Sequence, residues 1–217
     1  MITKYGYKTF LYSILLSALF VVIALLFLSG IGKLVVLTIG ILYAIFNINF
    51  FRDPERTTPA KDNIIVSPAD GKVILIKEVN ETRFIKEKAT QISIFMSPLN
   101  VHVNRIPISG TVDYINYIKG EYLAAFHEKA DQLNERAEIG IKSKYGKILF
   151  TQVAGTIARR IVYNIETGSQ VTMGERFGMI KFGSRVDVLV PSGWLKKINV
   201  GDSVKAGESI LFEYAND

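Results

Sequence analysis

Cysteine is absent from all 217 residues, so disulfides, thiolate nucleophiles and Cys-based metal centres are excluded. Histidine is almost as scarce. His102 and His127 stand alone, too few for a His-rich zinc centre, and no metal is expected. There is no Gly-x-Ser-x-Gly elbow, no glycine-rich phosphate loop ending in Lys-Ser/Thr, and no informative spacing of paired carboxylates. Residues 1–51 hold no Asp or Glu. The formal charge is +6, but three of the excess charges are Lys4, Lys8 and Lys33, which leaves +3 for residues 52–217. So small an excess beside a bilayer suits anionic headgroups better than nucleic acid, and no nucleic-acid partner is expected.

What is present begins with two uncharged runs, Phe10 to Leu28 and Leu34 to Phe51, separated by Ser29-Gly-Ile-Gly-Lys33. About 20 apolar residues cross a hydrocarbon core, and in lipid a helix satisfies its own backbone. The expectation is a transmembrane helical hairpin over residues 1–51, with helices at about 10–28 and 34–51; a shallower, re-entrant hairpin is the alternative. A cleaved signal peptide is disfavoured because no small-residue cleavage site follows the first run and a second span comes at once. Lys4 and Lys8 before the pair, and Arg52 and Arg56 after it, place both ends and the following domain on the cytoplasmic side of the cell membrane. Arg52 and Arg56 are also expected at headgroup level.

Arg52-Asp-Pro-Glu-Arg-Thr-Thr-Pro59 lies in a charged linker, residues 52–62. Of the chain, 166 residues follow the anchor, enough for one hydrophobic core. Strand signals fill them, at Ile64–Ser67, Lys72–Val79, Thr90–Met96, Thr111–Ile118, Lys147–Val153, Arg160–Ile165 and Val186–Val190. Glu121 to Arg136 reads instead as an amphipathic helix or helical loop, on Leu123, Phe126 and Leu133. Residues 63–217 are therefore expected to be mainly β (α+β), a compact β-sandwich-like domain. Gly168-Ser-Gln-Val-Thr-Met-Gly-Glu175 and Gly201-Asp-Ser-Val-Lys-Ala-Gly-Glu208 share the pattern G-x-x-V-x-x-G-E. The pattern resembles the hairpins of biotinyl- and lipoyl-carrier domains, although the Lys-Met dipeptide of those carriers is missing.

Six ordered segments carry a further resemblance: Phe50-Phe-Arg-Asp-Pro-Glu-Arg56, Ser67-Pro-Ala-Asp-Gly-Lys72, Phe95-Met-Ser-Pro-Leu-Asn-Val-His-Val-Asn-Arg105, Asn134-Glu-Arg136, Gly155-Thr-Ile-Ala-Arg-Arg160 and Arg176-Phe-Gly-Met-Ile-Lys-Phe-Gly-Ser-Arg-Val-Asp-Val188. Together, from about Phe46 to the C-terminus, they resemble the short-form phosphatidylserine decarboxylase proenzymes. The resemblance implies a pyruvoyl-dependent decarboxylase that turns phosphatidylserine into phosphatidylethanolamine and CO2. Decarboxylation of an amino acid leaves a carbanion for which no ordinary side chain is a sink, so a cofactor carries it. In this family the cofactor, pyruvate, is made from the chain. Cleavage between Gly183 and Ser184 would give a β chain, 1–183, and an α chain, 184–217, whose residue 184 becomes the pyruvoyl group that forms a Schiff base with the substrate amine. The two chains stay together as a heterodimer, and a higher oligomer is compatible with the sequence.

The resemblance also assigns His102 to the active site and Asp70 to self-processing, while an Asp-Gly turn is the plain reading of Asp70. Longer family members carry a second histidine where Arg105 stands. An arginine stays protonated, so it is no base; it suits a two-pronged contact with substrate carboxylate or phosphate. Which residue deprotonates Ser184 is left open, and His127 has no assigned role. Two readings compete with the enzyme. One is a non-enzymatic membrane adaptor with a carrier-like β domain; the weaker one, resting on Arg159-Arg160, is a membrane-tethered nucleic-acid binder.

Overall fold

The structure is a computed structural model that describes residues 1–127, 130–156, 160–181 and 184–215. It divides into two compact units, Met1–Pro54 and Glu55–Asp217.

In the first unit, α1 (Tyr7–Phe27) and α2 (Gly30–Phe50) form a hairpin of two 21-residue helices, each long and apolar enough to cross a bilayer. Most of their Leu, Ile, Val and Phe side chains are exposed, as a lipid-facing surface requires. The close approach is made by small residues: Ser17 Oγ donates to Gly40 O at 2.6 Å, and a Cβ on Gly40 would lie 3.3 Å from Val21 Cγ2. The second helix begins earlier than the sequence suggested. Ser29 holds the N-cap position and Gly30 the first helical one, so the Gly-Ile-Gly segment is wound into the helix rather than spent on the turn.

The second unit is built from β1 (Ile64–Val66), β2 (Gly71–Glu81), β3 (Glu87–Met96), β4 (Val103–Arg105), β5 (Gly110–Ile118), one helical turn α3 (Ala130–Leu133), β6 (Arg136–Ser143), β7 (Gly146–Val153), β8 (Arg160–Tyr163), β9 (Gln170–Val171), β10 (Arg176–Lys181), β11 (Ser184–Pro191), β12 (Trp194–Lys196), β13 (Ser203–Val204) and β14 (Ile210–Tyr214). A curled antiparallel sheet runs β13-β2-β3-β11-β7-β6-β5-β9, and two three-stranded sheets, β1-β14-β12 and β4-β10-β8, complete the domain. Alternation along β11 sends Val186, Val188 and Val190 into the main core with Ile92, Ile94, Ile148 and Phe150. The small sheets add Ile65, Phe177, Ile180 and Phe212 to the same core, so the arrangement is sandwich-like, as expected. Each such side chain contributes roughly 1.5–3 kcal/mol through burial. On the opposite face, Leu189 joins a smaller cluster with Phe84, Ile85, Ala89 and Leu149.

The repeat seen in the sequence is one part of a larger duplication. Pro68-Ala-Asp-Gly-Lys-Val73 is matched by Pro107-Ile-Ser-Gly-Thr-Val112, and their backbones make the same bonds. Val73 N and Val112 N donate to Asp202 O and Ser169 O, each at 2.9 Å; Gly207 N and Gly174 N donate to Ser67 O and Ile106 O. The relation is reciprocal where the copies meet, with Val66 N donating to Pro107 O and Arg105 N to Pro68 O. The large sheet has the matching order on either side of its β11–β7 centre, where Val188 faces Phe150. Gly174 and Gly207 close the paired turns at φ +87° and +75°, and a Cβ on Gly207 would meet Arg105 Cδ at 2.9 Å.

Two expectations change. Among the described residues of Glu121–Arg136 only α3 is helical, and Asn134 ties the residues before it, its side chain bonding Leu123 N, Leu123 O and Ala154 O. The apolar positions do not form a buried stripe, since Phe126 and Leu133 are exposed. The segment's last residue, Arg136, instead opens β6, which together with β4 and β10 has no counterpart among the expected strands.

Candidate active site

Ser184 is the first residue of β11, which lies between β3 and β7 in the middle of the large sheet. It is fully buried and faces Met96 across the β3 ladder, with Oγ 3.3 Å from Met96 Sδ. A thioether is a weak acceptor. Gly183 lies outside the described residues, as does Arg159. β10 ends three residues before Ser184, at Lys181.

From Met96 the chain enters the Ser97-Pro-Leu-Asn100 turn, closed by Asn100 N to Ser97 O and Ser97 N to Asn100 Oδ1, each 2.9 Å. That turn delivers His102, fully buried, with Nδ1 2.9 Å from Asn100 O. A carbonyl only accepts, so Nδ1 carries a proton and Nε2 of the neutral ring is the basic atom. Asn104 ties the parts together. Its Nδ2 reaches Pro68 O (3.3 Å) and Met96 Sδ (3.8 Å), and its Oδ1 accepts from Gln152 Nε2 at 2.8 Å. The Ser67–Gly71 turn and the residue opposite Ser184 therefore share one buried amide.

Asp70 in that turn is buried. Oδ1 accepts from Ala206 N at 2.8 Å, and Oδ2 is 2.7 Å from Arg56 Nη2. Arg56 Nη1 reaches Glu208 at 3.2 Å, so the guanidinium joins Asp70 to the C-terminal segment. This overturns the expectation that Arg56 sits among headgroups: its side chain is only 9% exposed and both arms are ion-paired. Asp70's hydrogen bonds go to Arg56 and Ala206, and none reaches Ser184 or His102 among the described residues. Arg105 is 6% exposed and donates to Gly174 O at 2.8 Å. It pairs with Arg176 at the start of β10, the end remote from Ser184.

On the other face of β11, Arg185 and Asp187 form an ion pair at 2.6 Å, both almost fully buried, with Arg185 also donating to Ser93 Oγ at 2.9 Å. Burial pushes the Asp187 carboxyl up, against the pull of Arg185. Asp131 of α3 lies 3.7 Å from Arg185 and 3.0 Å from Lys77, so α3 docks on this pair. Sequence reading missed these residues, and also Asn104, Gln152 and Arg56. The one available signal was the Arg-x-Asp spacing immediately after Ser184, which puts two charges on one face of a strand otherwise full of valine.

Residues 43–212 match the family model for phosphatidylserine decarboxylase. A phosphatidylserine decarboxylase proenzyme of Chlorobium limicola is 44% identical over 214 residues, 99% of this chain and 100% of the relative. That of Chlorobium phaeovibrioides is 50% identical over 174 residues, 80% and 79% of the two chains, and that of Prosthecochloris aestuarii 42% over 216 residues. The chain belongs to the phosphatidylserine decarboxylase family. Three of the six ordered segments meet: the Phe95–Arg105 and Ser67–Lys72 segments and the one holding Ser184 converge through Met96 and Asn104 at one end of the large sheet.

Proposed function

We propose that this chain is a proenzyme that cleaves itself at Gly183–Ser184 and then decarboxylates phosphatidylserine to phosphatidylethanolamine and CO2. The observation that carries the reading is Ser184 itself, buried at the head of the central strand with its hydroxyl turned to a thioether. In the first step Ser184 Oγ bonds to the Gly183 carbonyl carbon as the Gly183–Ser184 C–N bond breaks, giving an ester. Loss of the Ser184 α-proton then expels the Gly183 carboxylate and leaves dehydroalanine, whose tautomer takes up water and releases ammonia. Attack on an adjacent carbonyl needs no second molecule, so a rigid strand supplies most of the advantage as proximity.

The surroundings fit a ketone at residue 184. Among the described residues no strong hydrogen bond binds the hydroxyl that is lost, and the neighbouring Met96 thioether tolerates a group without a donor. Once formed, the pyruvoyl group supplies the electron sink that decarboxylation requires. His102 is the proton carrier at the substrate carbon, its ring fixed by Asn100 O so that Nε2 faces outward from that bond. Asp70 serves self-processing, braced by Arg56 and Ala206 N, and Arg105 holds the Gly174 turn and lines the groove beside it.

The products would be chains 1–183 and 184–217. Nothing covalent joins them, and the contacts that remain are extensive: β11 keeps both neighbours, β14 stays on β1, and β13 on β2. Residues 1–51 anchor the enzyme in the cell membrane where its lipid substrate resides, with Lys4, Lys8 and Arg52 on the cytoplasmic side. Intact-mass measurement tests the reading. The 184–217 chain should be lighter by one ammonia than the same peptide with an N-terminal serine, and Ser184→Ala should remain a single inactive chain. An uncleaved wild-type protein with full activity overturns it.

A further inference from the structure

The Arg185–Asp187 pair lies on the face of β11 turned away from the main core and touches none of the reacting atoms, so its burial needs another reason. Stability does not supply one. Taking two charges out of water offsets most of their attraction, and an apolar pair of similar volume is often as stable or more so. Asp187 shows the penalty directly, since burial pushes its carboxyl up even with Arg185 beside it. What an apolar pair lacks is direction.

The contacts of Arg185 have direction. Its Nε is 2.6 Å from Asp187 Oδ1 on the same strand, and its Nη2 donates to Ser93 Oγ of β3 at 2.9 Å. The same Nη2 is 3.7 Å from Asp131 of α3, which Lys77 of β2 holds at 3.0 Å. Ser93 itself faces Asp187 across the ladder and accepts from Gln91 Nε2 at 3.1 Å. One guanidinium is thus fixed from β11, β3 and α3, and its partners Ser93 and Asp131 both belong to residues 1–183.

The place of Arg185 in the chain gives this fixation a use. Once the Gly183–Ser184 bond is cut, residue 184 is a chain end and Arg185 is the residue next to it. Residue 184 faces Met96 on β3, but the β7 ladder begins only at Arg185, opposite Val153. A chain end paired on one side is the part of a sheet that opens most readily. The first side chain that can hold that end is Arg185, which is only 1% exposed.

We propose that Arg185, clamped by Asp187, Ser93 and Asp131, is the positioning residue that keeps residue 184 in register after the chain is cut. The proposal rests on the self-cleavage reading and adds to it how the new terminus is held. The clamp acts through the backbone, from the opposite face of the sheet.

The test replaces the clamp with apolar side chains, Arg185→Met together with Asp187→Leu, and compares the purified, processed double variant with processed wild type. The unfolding midpoint in denaturant should stay at the wild-type value or rise. With phosphatidylserine in detergent micelles, kcat should fall about tenfold to a hundredfold at unchanged KM, the scale of a misplacement of about 1 Å. Phenylhydrazine needs no substrate-binding groups, and it should label the ketone of residue 184 about threefold to tenfold faster, because a loosened end is more open. Wild-type values of either kcat or labelling would overturn the proposal. A midpoint lowered along with kcat would make the pair a stabiliser and overturn it as well. A folded double variant arrested as one chain would do the same, assigning the clamp to cleavage itself. Should the double variant not fold, Arg185→Lys and Ser93→Ala should show the same opposed changes on a smaller scale, and wild-type behaviour of both would overturn the clamp. Absence of a ketone from the wild-type protein would strike the self-cleavage reading instead.

Discussion

The two copies of the duplicated turn differ most at a single side chain. In one copy Asp70 Oδ1 accepts the N–H of Ala206, and in the other Ser109 Oγ accepts the N–H of Met173, 2.8 and 2.9 Å respectively. Holding the facing Gly-Glu turn therefore requires one oxygen, which serine provides. Asp70 brings a second oxygen and a charge, and both are spent on Arg56. The strands diverge in the same way. The position equivalent to Ser184 is Gly146, because Ser184 faces Met96 as Gly146 faces Ser143. At Gly146 the ladder closes in a tight hairpin with φ +107°, whereas at Ser184 the neighbouring strands are 88 residues apart in sequence. One half shows what the scaffold needs. The surplus in the other half is where the proposed chemistry belongs.

The sharpest way to break this comparison is to make the halves alike. Asp70→Ser should keep the bond to Ala206 N and leave Arg56 its pair with Glu208, so folding is preserved. Self-cleavage, followed as the appearance of two chains on a denaturing gel, should slow by about a hundredfold, the scale of a lost acid–base group. Cleavage at the normal rate would reduce Asp70 to a turn cap like Ser109. Next in size is Arg56→Met, which leaves Asp70 buried without its cation. Removing one partner of a buried pair costs about 3 kcal/mol, read as a lowered unfolding midpoint in denaturant. An unchanged midpoint would mean that water replaces the guanidinium.

The uneven legibility of the sequence has the same origin. β2, β3, β5, β7 and β11 were readable because each has a face in the main core and enough β-branched residues to show it. β6 was not, because Arg136, Glu138 and Lys142 make it look like the end of a charged helix. Its Glu138 is buried against Arg83 and Arg136, a pairing fixed only by the neighbouring strands. The Gly-x-x-Val-x-x-Gly-Glu repeat was visible since its glycines are required by backbone geometry. The Pro-x-x-Gly-x-Val copies were not, because Asp70 and Ser109 differ and no local rule equates them. Ser184 and His102 were legible only through the ordered segments around them. The partners Met96, Asn104 and Arg56 are brought in by strand pairing and turn geometry, which no spacing reveals.

The connections between the paired strands allow the comparison to be tested by pH. In the β2–β3 hairpin the Glu81 carboxylate accepts from the N–H groups of Arg83, Phe84 and Ile85 and from the Arg83 guanidinium. In the β5–β6 connection the corresponding work is done by the neutral amide of Asn134. Burial raises the Glu81 carboxyl, but those donors outweigh it and hold it below the ordinary 4.5. A depressed folded value means stabilisation that is complete above 4.5 and fades as pH falls through the lower folded value. Amide exchange at Phe84 and Ile85 should therefore accelerate in acid while that of Leu123 follows only the intrinsic rate. Glu81→Gln should remove the pH dependence at a cost of about 2 kcal/mol. Parallel behaviour of both connections would show that acid acts on the whole sheet rather than on this carboxylate.

The smallest effect belongs to the inert copy. Ser109→Ala deletes the oxygen that accepts Met173 N, a bond at an exposed turn, and should cost about 1 kcal/mol in chemical denaturation. Self-cleavage and decarboxylation should proceed at wild-type rates, because this turn lies in the half without Ser184. If processing slowed as it does for Asp70→Ser, the two turns would be coupled across the Val66–Pro107 and Arg105–Pro68 bonds, and the second oxygen of Asp70 would no longer explain the difference between the halves.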